Sequence, residues 1–224
     1  VQIQIVEGID GARSAAGAVV VIDVLRAFTT AAYAFAAGIT EIELVRTVEE
    51  ARAVTGFRMG EVGGRLIPGF DHNNSPSRLV GRRLSGRAVM RTGSGTQCAV
   101  VATQASEVWL GSLVVATATA RALAGRGLVT LVASGRPNEG EEDLACAEWI
   151  AAVLRGGRPS GRAIAALVAG SRAAARFSPD DSDLPPADLE CATAIDRFSF
   201  AMQAERTGGR LIATRFDVRT SANP

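Results

Sequence analysis

An α/β fold, with a mostly parallel sheet layered between helices in α/β/α fashion, is what this sequence predicts. Three observations lead there. Residues 17–24 form a near-continuous apolar run, and a run apolar on both faces suits a strand covered by helices on both sides. Strand-like and helix-like stretches alternate after it, as they do around a parallel sheet. The chain has 224 residues, 47% of them apolar, which is enough to bury a full core in one unit or in two closely joined halves.

The elements follow in order. The first apolar run predicts a strand ending at Asp23. Residues 27–37 are rich in alanine and predict a helix. Residues 39–45 alternate Ile, Ile and Leu with Thr, Glu and Glu, which predicts a strand and completes a βαβ unit. A second unit has strands at 87–90 and 107–110 around a helix at 95–103. Residues 39–44 and 105–110 match in type, a weak internal repeat that any fold of βαβ units would show, so one unit spanning 1–224 is expected and a duplication is left open. A further strand is expected at 128–133 and a helix at 142–154. Between the two βαβ units, residues 59–77 are rich in Gly, Asn and Pro and read as a long loop, a length that ordered loops reach mostly for function. Residues 178–186 read as an acidic surface loop, 187–206 as an amphipathic helix and 211–216 as a late strand.

Composition excludes several chemistries. The chain has no lysine, so a Schiff-base lysine and a G-x-x-x-x-G-K phosphate loop are ruled out. Its single histidine, His72, rules out a zinc site built on two or three histidines of one chain. Any metal is expected on oxygen ligands, which points to magnesium, manganese or calcium. Cys98, Cys146 and Cys191 are odd in number and widely spaced, which reads as reduced thiols in a cytoplasm. The net charge of +1 and the lack of a basic run interleaved with aromatics argue against nucleic acid. No apolar run is long enough for a bilayer, and the N-terminus lacks a signal-peptide layout, so neither a membrane nor export is expected.

Asp23 ends a buried strand and Arg26 follows it. At the carboxyl end of a strand in an α/β sheet a carboxylate can hold metal and an arginine can clamp phosphate. Equally, Asp23 can cap the next helix and pair with Arg26. Thr92, Gly93, Ser94, Gly95 and Thr96 also join a strand to a helix. Their backbone and hydroxyls could receive an anion, or could form an ordinary capping turn. Ser134 and Gly135 follow another strand, with Glu139, Glu141, Glu142 and Asp143 close behind. These carboxylates either complement a helix dipole or hold a cation. His72 sits in a polar loop where a histidine serves as acid or base, or is simply solvated. Cys191 and Arg197 have C-x5-R spacing, but the residues between them lack glycine and read as helix, so this match is rejected as a thiol phosphatase motif.

Taken in order, several segments resemble the 2-phosphosulfolactate phosphatase family of coenzyme M biosynthesis. They are Ile22-Asp23-Val24-Leu25-Arg26-Ala27, Gly60-Glu61, Gly69-Phe70-Asp71, Asn74-Ser75-Pro76, Thr92 with Gly95-Thr96, and Glu142-Asp143. The resemblance implies a magnesium-dependent phosphatase with an α/β layered fold, acting on 2-phosphosulfolactate or an analogue, and it leaves open two intertwined similar halves. With it, Asp23, Arg26, Glu142 and Asp143 become the catalytic candidates. Substrate-binding candidates are Arg26, Asn74, Ser75, Thr92, Ser94, Gly95 and Thr96; metal candidates are Asp23, Glu61, Glu142 and Asp143. Water and Asp23 both stand as nucleophile. The expected partner is a small phosphorylated organic acid, and a homodimer is left open. The sequence departs from the family pattern at Phe28, Asn73 and the Thr92–Thr96 loop, and all three departures are expected in the site. They motivate a rival from another class, a non-catalytic small-anion-binding protein that keeps the fold.

Overall fold

The computed structural model describes residues 1–135 and 139–218. Its strands are β1 (Gln2–Glu7), β2 (Gly17–Ile22), β3 (Glu41–Val45), β4 (Phe57–Val62), β5 (Arg65–Leu66), β6 (Arg87–Arg91), β7 (Ala105–Gly111), β8 (Leu128–Ala133), β9 (Phe200–Thr207) and β10 (Arg210–Asp217). The helices are α1 (Gly8–Ser14), α2 (Ala27–Ala37), α3 (Val48–Ala53), α4 (Gly95–Val101), α5 (Ala116–Ala122), α6 (Glu141–Leu154), α7 (Gly161–Ala169) and α8 (Ala187–Thr193). The fold is layered α/β, as predicted.

The strands form one sheet in the order β1-β8-β2-β7-β9-β10-β3-β6-β4-β5. The two βαβ units exchange partners within it. β2 leads through α2 to β3, yet β3 pairs in parallel with β6. β6 leads through α4 to β7, which pairs in parallel with β2. Between the two parallel groups stands the β9–β10 hairpin, antiparallel to β7 on one side and to β3 on the other. Three antiparallel pairings in succession reverse direction, so β2 and β6 run oppositely along the sheet.

In a flat sheet, five strand spacings would hold β2 and β6 roughly 24 Å apart with their carboxyl ends at opposite edges. Instead the Gly95 N–H, just past β6, donates to Asp23 Oδ2, just past β2, at 2.9 Å. The sheet therefore folds back on itself, and this bend brings the strand ends of both groups together.

The core explains the bend. Val19 and Val21 of β2, Ile42 and Leu44 of β3, and Ala88 and Met90 of β6 pack in one cluster with α2 and α4. Side chains alternate across a strand, so Ala18, Val20 and Ile22 face the other way, onto α5 and α6. In the same manner Val45 and Val89 turn outward to Ala51 of α3. α2 is buried from Ala27 to Phe35, and a helix apolar all round is one enclosed by its fold. Phe28 is fully buried within it, a burial worth about 1.5–3 kcal/mol.

Two expectations are corrected. Residues 187–206 are not one helix: α8 stops at Thr193 and β9 begins at Phe200. Asp196, with φ 54°, breaks the helix, and its carboxylate accepts from Thr117 N and Thr117 Oγ1 at the start of α5. Gly208 and Gly209, both at positive φ, then make the tight turn from β9 into β10. Residues 59–77 are not one loop either. Met59 to Val62 complete β4, and Gly63 and Gly64 at positive φ turn it into β5. The strands at 17–24, 87–90, 107–110, 128–133 and 211–216 and the helices at 27–37, 95–103 and 142–154 stand within a few residues of expectation. No described helix is long and apolar enough to cross a membrane.

Candidate active site

The bend creates a cleft of about 490 Å³ at the joined strand ends. Asp23, Arg26, Glu61, Asn74, Ser94, Glu142 and Asp143 all line it, drawn from segments far apart in sequence. Asp23 follows β2, Glu61 lies in β4, Ser94 follows β6, and Glu142 and Asp143 open α6. Ser75, Thr92, Gly95 and Thr96 do not line it.

Asp23 is at the centre of the carboxylates. Its Oδ1 accepts from Ala27 N at 2.8 Å, so the capping reading is true of one oxygen, and its Oδ2 accepts from Gly95 N. Burial pushes its pKa up to about 6; the charge of Glu61 adds to the rise, against the backbone donors, which lower it. Asp143 is held the same way. Its Oδ1 accepts from Val24 N at 2.8 Å, and its Oδ2 from Gly135 N at 3.0 Å and Ser134 Oγ at 3.3 Å. Burial raises its pKa well above the usual range, and the charges of Asp23 and Glu142 raise it further. Glu142 is pushed up to about 7, first by burial and then by Asp23 and Glu141. These carboxyl groups thus compete for protons or for a cation.

The loop after β6 does something the sequence did not suggest. Two of its backbone donors, at Gly93 and Gly95, are taken by carboxylates of the protein itself. Gly93 N donates to Glu61 Oε1 at 2.5 Å, and Gly95 N donates to Asp23. A Cβ at Gly95 would stand 2.7 Å from Asp23 Oδ2, so glycine is needed for that approach. The Thr92 and Thr96 hydroxyls bond each other and the loop backbone. Among the loop's side chains, only the Ser94 hydroxyl is placed at the cleft.

Arg26 is buried at the cleft, and both of its hydrogen bonds leave from Nη1. One goes to Asp188 Oδ2 at 2.5 Å and one to Asp183 O at 2.9 Å. Its guanidinium lies over the Phe177 ring at 5.3 Å. Asp188 also accepts from Ser75 Oγ, Ser77 N and Ser77 Oγ. Ser75 therefore serves Arg26 through Asp188 rather than facing substrate. The reading of the sequence passed over Asp188, Arg176 and Phe177. No Gly-rich motif marks them; the one signal is the acidic loop at 178–186 beside the expected amphipathic helix.

Gly93, Ser134, Gly135 and Glu139 also line the cleft, whereas Phe28, His72, Asn73 and Cys191 do not. Phe28 is in the core, and Asn73 ties Gly64 O to Asp183. Those two departures from the family pattern are thus outside the cleft lining, contrary to expectation. His72 is buried with Nε2 2.9 Å from Ser75 O, and burial lowers its pKa. It is neither solvated nor placed for acid–base work. Cys191 is in α8, and burial raises its thiol pKa, the reverse of what a nucleophile needs.

The donors suit a hard cation. Glu142 Oε2 and Asn74 Oδ1 are buried with no hydrogen-bond partner among the described residues. A buried acceptor left unpaired costs about 1–3 kcal/mol. No group of three His, Cys, Asp or Glu among the described residues forms a ready cage. Magnesium, which keeps several waters and takes one or two carboxylates, needs none.

Buried carboxylates and an arginine thus stand at the joined strand ends of a bent α/β sheet, the place where α/β folds bind ligands. The family follows from comparison: the model of the 2-phosphosulpholactate phosphatase family matches residues 3–202, and the chain belongs to that family. Relatives named "Probable 2-phosphosulfolactate phosphatase" include one from Bacillus subtilis (strain 168), 36% identical over 146 residues, or 61% of this chain and 64% of the relative. One from Deinococcus radiodurans is 42% identical over 144 residues, 60% of each chain. One from Carboxydothermus hydrogenoformans is 39% identical over 145 residues, 61% of this chain and 60% of the relative. The matched stretch spans less than two thirds of the length of each of these relatives.

Proposed function

We propose that this protein is a magnesium-dependent phosphatase that hydrolyses a small phosphorylated hydroxy acid, 2-phosphosulfolactate or an analogue. The observation that carries the reading is Glu142 Oε2, a buried carboxylate oxygen with no hydrogen-bond partner among the described residues, in the same cleft as Asp23 and Arg26. Family membership and the printed names of the relatives support the substrate class.

Glu142 and Asp23 would hold the magnesium, with Asn74 Oδ1 as a further donor. The bound cation would offset phosphate charge and raise the acidity of a water. The chain's own groups do the rest. Arg26, fixed by Asp188, presents the side of its guanidinium not bonded to protein. Ser94 Oγ adds a donor. Asp143, which burial and the charges of Asp23 and Glu142 hold above the usual carboxylate range, would serve as the proton carrier. Glu61 holds the β6–α4 loop through Gly93 N and the β4–β5 turn through Gly64 N.

The rival, an anion-binding protein without turnover, draws on one observation: no ready three-carboxylate cage stands among the described residues. Phosphate release from a panel of phosphorylated hydroxy acids, with magnesium present, separates them. Release supports the phosphatase. Tight binding of the same esters without release supports the rival.

A further inference from the structure

We propose that Arg176 is the receptor for the substrate's acid group, the carboxylate or sulfonate that accompanies the phosphate, and that it makes the cleft selective for phosphorylated acids. The proposal rests on the phosphatase reading above.

Charge balance motivates it. Among the described residues, five carboxylate side chains and two guanidinium groups, those of Arg26 and Arg176, line the cleft. Arg26 is buried against Asp188 and its charge is matched. Nearby Arg65 pairs with Asp181. Arg176 is different. Its one side-chain hydrogen bond among the described residues runs from Nη2 to Gly63 O at 3.2 Å, and no described carboxylate pairs with it. An anionic substrate entering a cleft this acidic needs a cation to meet it, and Arg176 supplies an unmatched one.

The fold builds a seat for this side chain. Gly63 and Gly64 form the turn between β4 and β5. Gly63 offers its carbonyl, and Gly64 offers space. Gly64 has φ +88°, and a Cβ there would stand 2.9 Å from Arg176 Nη2. Any other residue at 64 would displace the guanidinium from the cleft wall.

Depth decides which substrate group it meets. Asp23, Asn74 and Glu142 are buried, whereas Arg176 is exposed at the mouth. A small ester whose phosphate reaches the deep donors leaves its acid group at the mouth. There a planar guanidinium takes two oxygens of a carboxylate or sulfonate at once.

The test compares two esters of one size. In 2-phospholactate the phosphate has a carboxylate beside it; in propane-1,2-diol 2-phosphate a hydroxymethyl group replaces the carboxylate. Arg176→Gln is expected to lower kcat/KM for 2-phospholactate by roughly 10–100-fold, mostly through KM, as loss of a charged hydrogen-bonded pair would. Its effect on the diol phosphate stays within about threefold on the same reasoning, and Arg176→Lys recovers part of the loss on the acid. Equal losses on both esters, or none on either, overturn the proposal. If the wild-type protein releases phosphate from neither ester, the phosphatase reading fails separately. Calorimetric binding of the same two esters to wild type and Arg176→Gln then decides Arg176. A selective loss for 2-phospholactate upholds it, and the absence of that contrast, including no binding at all, overturns it.

Discussion

The wall of the cleft built from the ends of β2 and β8 and the start of α6 is fixed by backbone. Each Asp23 and Asp143 oxygen accepts at least one main-chain N–H. The facing wall, which carries Ala173, Arg176, Phe177 and Leu184, is fixed by side chains. Arg65 pairs with Asp181, Arg78 bonds Ser182 O, and Asn73 bonds Asp183. Several of those contacts are exposed, and exposed pairs contribute only about 0–1 kcal/mol each. The first wall is thus rigid chemistry, and the second is a surface that can differ in sequence without disturbing it. Catalysis is expected from one wall and selectivity from the other.

The largest effect that would break this comparison is on the carboxylate wall. Asp23→Asn keeps one acceptor and the shape but loses the charge. It should lower turnover by roughly 10²–10⁴-fold, the usual range for a positioned acid, base or charge. The folded protein should remain. Turnover within a fewfold of wild type would remove Asp23 from the reaction.

Arg26→Ala comes next, because Arg26 belongs to both walls. The residue partners a buried Asp188, so removing it strands a charge at a cost of about 3–5 kcal/mol. Urea unfolding should show that loss, and turnover should fall too. A stable Arg26→Ala protein would show that Asp188 finds other partners.

A smaller effect concerns pH. Asp23 and Glu142 are raised to about 6 and about 7, from ordinary values of 3.8 and 4.5. The folded state therefore holds more protons than the unfolded state between about pH 4 and 7. Stability from these groups is present below that window and is lost as pH rises through it. The Tm of metal-free protein should decline from pH 5 to 8, and Asp23→Asn should flatten the decline. An unchanged slope in the variant would mean that the rise does not come from this cluster. The smallest effect is Cys191→Ser, which should leave turnover unchanged, since the thiol is outside the cleft lining.

The difference between the walls also explains what the sequence disclosed. Asp23, Glu142 and Asp143 sit at a strand end or a helix start, and periodicity finds such places, whereas Glu61 falls in a stretch that reads as loop and stands out only through the family resemblance. The apolar run of β2 and the alternation of β3 were equally plain. The partner exchange between β2–β7 and β3–β6 was not legible, since local pattern carries no pairing information. β9 was missed because Ala201, Met202, Gln203 and Ala204 suit a helix as well as a strand, and only the Gly208-Gly209 turn argued otherwise. The loop of Thr92–Thr96 misled for a different reason. A helix start welcomes an anion, and here the anions are the side chains of Asp23 and Glu61. Arg176 left no local signal, because its seat at Gly63 and Gly64 lies more than a hundred residues away in sequence.

The central claim is that the two walls enclose one metal-assisted phosphatase site. Phosphate release from 2-phosphosulfolactate by protein stripped with excess chelator tests it most directly. The account predicts no release until magnesium is restored, and recovery of turnover on its addition. Full activity in rigorously metal-free protein would contradict it.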